Sequence, residues 1–165
     1  MKVPYLVKPA SLDFSQVFTS QVLKPQITIV LKYQEKKQKL FALIDSGADA
    51  CLFPKGIADI LGIKIKDGQK IDFSGIGGTR TPFYFHEVDI LFGEYQVKSK
   101  IGFSTQENIG VSGILGQQGF FEHFIISYHH KDQYIEIKKR FYSRFAFQNS
   151  VFQEYFHLMK KYKQW

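Results

Sequence analysis

Apolar and polar positions alternate along this chain with the short period of strands rather than the longer period of helices. Residues 27–33 (ITIVLKY) are rich in β-branched and apolar side chains, the polar run QEKKQK predicts a turn, and residues 40–44 (LFALI) are apolar again. That is the pattern of a β-hairpin. A third short strand is expected over 49–53, after the D-S-G-A turn. Pro54 then opens a short helix through Leu61 that Gly62 ends, with proline near the first helical position and glycine past the last. A second hairpin runs in alternation to Phe73, turns at SGIGGT and returns over 83–91. YQVKSKIGF reads as another strand. GVSGILGQQGFFEHF predicts a strand through Leu115, a glycine turn and a short helix near 118–123. FIISYHHKDQYIEIKK predicts a last hairpin turning around Lys131 and Asp132. The expected body is mostly β with two short helices.

After Arg140 the texture changes. Ser150 is followed three residues later by Gln153, a capping box, and Phe152, Tyr155, Phe156, Met159 and Tyr162 recur at helical spacing. An amphipathic helix is expected over about 150–163, its apolar stripe packed on its own domain or on a dimer mate; the alternative is a free partner-binding helix. The expected organisation is an N-terminal extension (1–24), a central domain (25–140) and a C-terminal helical extension (141–165).

A chain of 165 residues suits one domain able to bury its apolar surface without staples. Its 17 Phe, 9 Tyr and single Trp make rings the main packing material. Cys51 is the one cysteine, so no intrachain disulfide can form, which suits a reducing compartment. The apolar run near the N-terminus is broken by Pro4 and stopped by Lys8, too short for a signal-peptide core. No stretch approaches the roughly 18–20 apolar residues that span a bilayer. The expectation is a soluble cytoplasmic protein with no membrane partner. Net charge is +7, and residues 131–165 contribute +5 of it. A basic tail can meet nucleic acid or an acidic membrane, but a solvated charged face is the commoner explanation, and nucleic acid is not the expected partner.

One acid stands out. In LFALIDSGADACLFP, Asp45 ends an apolar strand and is followed at once by Ser46 and Gly47. A carboxylate inside a turn of small residues can accept backbone N–H bonds, Gly47 lets the backbone approach without a Cβ, and the Ser46 hydroxyl can tie one loop to another. Taken alone, Asp-Ser-Gly is also ordinary turn chemistry, and Gly75 to Gly78 an ordinary hairpin tip. No G-x-G-x-x-G lies between a strand and a helix, no H-E-x-x-H or paired cysteines occur, and GVSGI lacks the second glycine of a serine-hydrolase elbow. Cys51 reads as a small core residue. His129 and His130 point to opposite faces of a strand and make poor joint ligands. No cofactor or metal is expected.

Three pieces together are more specific: apolar strand–Asp45-Ser46-Gly47-Ala48, the tip Gly75-Ile76-Gly77-Gly78, and Ile114-Leu115-Gly116. In this order they resemble the retropepsin-like aspartic peptidases, over roughly residues 25–137. The resemblance implies a closed, mostly β, retropepsin-like barrel and an aspartic endopeptidase. Asp45, Ser46 and Gly47 take the catalytic positions; Ala48, Asp49, Gly75, Ile76, Gly77 and Gly78 those that meet substrate, the glycine tip as a flap; Ile114, Leu115 and Gly116 pack beneath the catalytic loop. Because the chain holds one such acid, the resemblance implies a homodimer that pairs two copies of Asp45 and acts on an extended peptide or protein. Many retroviral members carry an arginine after the apolar-apolar-glycine where this chain has Gln117 and Gln118. That departure keeps a second reading open, a retropepsin-fold interaction module without turnover.

Overall fold

The computed structural model describes residues 1–74 and 80–140. The expected flap tip (75–78) and the expected C-terminal helix (150–163) lie outside the described residues.

The first predicted hairpin is β4 (Gln26–Tyr33) and β5 (Lys36–Ile44), paired from Gln26↔Leu43 to Tyr33↔Lys36. Ile27, Ile29 and Leu31 on β4, and Leu40, Ala42 and Ile44 on β5, are buried at alternate positions, so period-2 patterning aims one face inward. The connection is shorter than the polar run QEKKQK suggests. Only Gln34 and Glu35 turn, Gln34 at φ +53°, and residues 36–39 are strand. Polarity there marks exposure, not the end of backbone pairing.

The chain leaves β5 through Asp45 and returns as β6 (Leu52–Phe53), shorter than the strand expected over 49–53, with Ala50 bridging Gln118. Helix α2 (Lys55–Leu61) follows as predicted: Pro54 stands before it, Ala58 and Leu61 are buried, and Gly62 ends it at φ +73°. After a 3-10 turn (Ile65–Asp67), β7 (Gln69–Ser74) and β8 (Arg80–Phe92) form the second hairpin, in register to Ser74↔Arg80. β8 continues into β9 (Tyr95–Ser104). The strand β10 (Ile114–Leu115) enters between β5, which it parallels, and β6, which it opposes. The sheet order is β4-β5-β10-β6-β9-β8-β7, and β4 also pairs with β8.

A separate sheet holds β11 (Phe124–His129) and β12 (Tyr134–Lys139), the predicted last hairpin, with β1 (Lys2–Pro4) on the far side of β12. The expected helix near 118–123 is absent. Gly119 at φ +99° interrupts the α geometry, and Phe121 and Glu122 donate five residues back, to Gly116 (3.2 Å) and Gln117 (3.1 Å), in a wide turn. A second α-helix lies elsewhere: α1 (Leu12–Val17), capped by the Ser11 hydroxyl, between β2 (Leu6–Pro9) and β3 (Gln21–Lys24). None of its residues is buried, so it carries no core-facing stripe to read.

Rings fill the core. Phe53, Phe103, Phe120 and Phe124 are its largest fully buried side chains, and Phe120 and Phe124 lie 4.9 Å apart between centroids. A smaller apolar group, Ala50, Leu52 and Phe83 with Phe73, Phe85, Ile109 and Ile114 against it, lies apart from the main core. No helix among the described residues is long and apolar enough to cross a membrane.

Candidate active site

Asp45 takes its position from the strand on either side of it. The Ile44 N–H donates to Pro25 O (2.8 Å), and the Asp45 N–H donates to Leu115 O (3.0 Å), fixing the residue where β5 leaves β10. The loop then folds back on its own acid: Gly47 N–H donates to Asp45 Oδ1 (2.9 Å), and Ala48 N–H to Asp45 O (3.3 Å). A Cβ on Gly47 would lie 3.3 Å from that same Oδ1, close enough that the carboxylate would have to shift by a few tenths of an ångström. This is a carboxyl group held by a turn, as small-residue loops allow.

The segment after β10 laces the loop from beneath. Gln117 N–H donates to Ala48 O (2.9 Å), Gln118 N–H to Asp49 O (2.9 Å) and Cys51 N–H to Gln118 O (3.0 Å). The two chains run so close that a Cβ on Gly116 would meet Ala50 O at 2.3 Å and Ala48 O at 2.7 Å. The Gln117 side chain donates through Nε2 to Ser46 O (3.0 Å). The neutral amide thus ties the loop through its backbone carbonyl rather than through the Asp49 carboxylate.

Asp45, Gly47, Ala48 and Asp49 open onto a cleft of about 720 Å³, with Leu52 and Ile114 among its apolar lining. The β7–β8 hairpin contributes Phe73, Ser74, Thr81 and Phe83, and the segment between β9 and β10 contributes Gln106, Asn108 and Ile109. Of the residues singled out in the sequence, Asp45, Gly47, Ala48, Asp49 and Ile114 are brought together here. Ser46 is exposed on the same loop, Leu115 is fully buried, and Gly116 lies against the loop backbone. Residues 75–78 are not described, but Ser74 and Thr81 on their flanks line the cleft. Sequence reasoning missed the hairpin side chains and residues 106–109; alternation along β7 and β8 could have flagged the former, whereas TQENIG reads only as a polar loop.

Two groups near the loop are electrostatically shifted. Burial, then the charge of Tyr5, then that of Asp45, push the Tyr128 phenol up to about 12. Burial pushes the Cys51 thiol up to about 12 as well, so Cys51 is a small core residue, as read from the sequence, and no nucleophile. Elsewhere, Ser99, His123 and Glu122 meet in a way that superficially suggests a hydrolase triad. Yet Ser99 Oγ (3.2 Å) and Glu122 Oε1 (3.4 Å) approach the same ring nitrogen, Nε2 of His123, which precludes a relay through the imidazole. Among the described residues no group of three His, Cys, Asp or Glu side chains could hold a metal.

No family model and no curated protein sequence matches the chain. Among solved structures, a retropepsin-like aspartic protease from Rickettsia conorii superposes with a TM-score of 0.51 at 14% identity, covering 82% of this chain and 99% of that one. EIAV protease complexed with the inhibitor HBY-793 gives a TM-score of 0.44 at 20% identity, over 57% of this chain and 82% of that one. The likeness to the Rickettsia protein establishes the fold: mostly β, with two α-helices, of the retropepsin-like kind.

Proposed function

We propose that the chain is an aspartic endopeptidase of retropepsin type, closed as a barrel over residues 25–140 between extensions at 1–24 and 141–165. It works as a cytoplasmic homodimer in which two copies of Asp45 share one water. The observation that carries this reading is the Asp45 carboxylate, held by the Gly47 N–H at 2.9 Å and opening onto a cleft of about 720 Å³. One such carboxylate cannot act as base and acid at once, so a second copy supplies the other. An isologous dimer brings the twin residue to the axis without further design. At about 3 Å and an effective dielectric near 20, two carboxylates repel by roughly 5 kcal/mol, about 4 pK units. The pair therefore holds one proton near neutrality, the known behaviour of aspartic-protease dyads. The ionised carboxylate takes a proton from water while the protonated one donates to the scissile carbonyl.

In this reading an extended peptide lies in the cleft by adding to strand edges, its alternate side chains falling among Leu52, Phe83, Ile109 and Ile114. Ala48 and Asp49 meet its backbone, Gly75 to Gly78 close over it, and Ile114, Leu115 and Gly116 hold the loop. Gln117, through Ser46 O, does the anchoring assigned to arginine in many retroviral members. The test is Asp45→Asn. Peptide cleavage is expected to vanish while folding and dimerisation remain. Retained cleavage overturns the mechanism, and a wild-type dimer that binds peptides without cutting them supports an interaction module instead.

A further inference from the structure

The segment between Tyr5 and Pro25 leaves the body of the molecule. Among the described residues, strands β2 and β3 pair only with each other, from Leu6↔Lys24 to Pro9↔Gln21, and form a two-stranded sheet of their own. Helix α1 sits at its tip with no buried residue. Such a ribbon is marginal in water, and a six-residue helix far more so. The tip is nevertheless apolar: Leu12, Val17 and Phe18 are 76%, 71% and 69% exposed, and Phe14, 41% exposed, lies tilted against Phe18 at 4.8 Å between ring centroids. A cluster of this kind on an otherwise well-packed domain marks a surface that something covers.

Both feet of the arm are tied into the body. At one foot Tyr5 is buried and its N–H donates to Gln133 O (3.1 Å); at the other, Pro25 O accepts the N–H of Ile44, the residue before Asp45 (2.8 Å). Leu23 packs on the core just inside that second foot. The arm is therefore rooted one residue from the acid that must reach the two-fold axis. An apolar tip that the described residues leave bare, on an arm rooted there, is placed to meet the second copy.

We propose that residues 6–24 are a dimer arm whose apolar tip, Leu12, Phe14, Val17 and Phe18, packs on the second copy of this chain, each copy clasping the other. This rests on the homodimeric reading above and adds the element that holds the dimer. The size is sufficient. Rings of this class bury about 150–250 Å² each, so two arms with the surface beneath them supply on the order of 1,000 Å² of the roughly 1,200–2,000 Å² a specific dimer buries.

The experiment compares wild type with the double variant Val17→Glu, Phe18→Glu, both changes at exposed positions that leave the core untouched. Sedimentation velocity across concentrations gives the dimer constant, circular dichroism checks the fold, and cleavage of a peptide pool reads activity. The expected result is a folded variant whose dimer is roughly a hundredfold weaker or worse, with cleavage restored as its concentration is raised. A wild-type dimer matched in tightness by the variant overturns the arm and leaves the dimer standing. A wild type that is monomeric throughout overturns the dimer and the arm with it. A variant that dimerises normally but no longer sediments with phosphatidylserine vesicles assigns the tip to lipid, and also overturns the proposal.

Discussion

Gly116 separates a residue kept for chemistry from one kept for space. Its missing Cβ would meet two carbonyl oxygens of the loop, at 2.3 and 2.7 Å, and backbone cannot step aside as a side-chain end can. Gly116→Ala is therefore expected to cost about 3 kcal/mol by urea denaturation, and to lower cleavage by displacing the Asp45 loop. Cys51 gives a second prediction. Its thiol pKa is raised by burial from an ordinary 9.0 to about 12, so the folded state holds a proton that the unfolded chain gives up. The stability this contributes is complete below pH 9 and lost as pH climbs toward 12. The gap in urea midpoint between wild type and Cys51→Ala should narrow over that window, and the native thiol should resist alkylation until the chain unfolds. At this scale the acid, its glycine and the buried cysteine are all legible in sequence, because each follows from its immediate neighbours. The tether of Gln117 to Ser46 is not, since it joins residues 71 apart whose meeting depends on β10 entering between β5 and β6.

Elements read well where one face is buried and poorly where none is. The β4–β5 hairpin and strands β8 and β12 show their period because alternate residues enter the core; β7 has no buried residue and is read through its pairing with β8. The lysine-rich start of β5 hides its strand character, as its side chains face water while its backbone pairs with β4. Gly119 breaks the helix that FFEHF alone suggests, through a φ of +99°, at a place where a Cβ would lie 3.0 Å from Cys51 Sγ. α1 escapes notice for the reason that makes it interesting, the absence of any inward face. The two-residue turn at Gln34 provides the test at this scale. Its left-handed φ of +53° costs a β-carbon-bearing residue roughly 1 kcal/mol, and less for asparagine. Gln34→Asn should raise stability by about 0.5 kcal/mol without touching the cleft, as calorimetry can measure; a loss would mean the turn is not strained.

For the whole molecule, the proposed function makes a retropepsin-like fold with a single Asp-Ser-Gly one half of a catalytic centre. Sequence motifs suggested the family likeness and the fold agrees with it, while the two-fold symmetry proposed to complete the site would be a property of two chains and leave no local mark in one. If two copies of Asp45 share a proton, cleavage should follow a bell in pH, falling toward acid as both become protonated and toward alkali as both become ionised, with limbs that belong to the pair. A profile that climbs steadily toward alkaline pH would point to other chemistry. Most direct is a crystal structure of the assembled protein, measuring the distance between the two Asp45 carboxyl groups. About 3 Å, within reach of a shared proton, is the predicted result; two carboxyl groups held well beyond hydrogen-bonding distance, or a chain that never pairs, would contradict it.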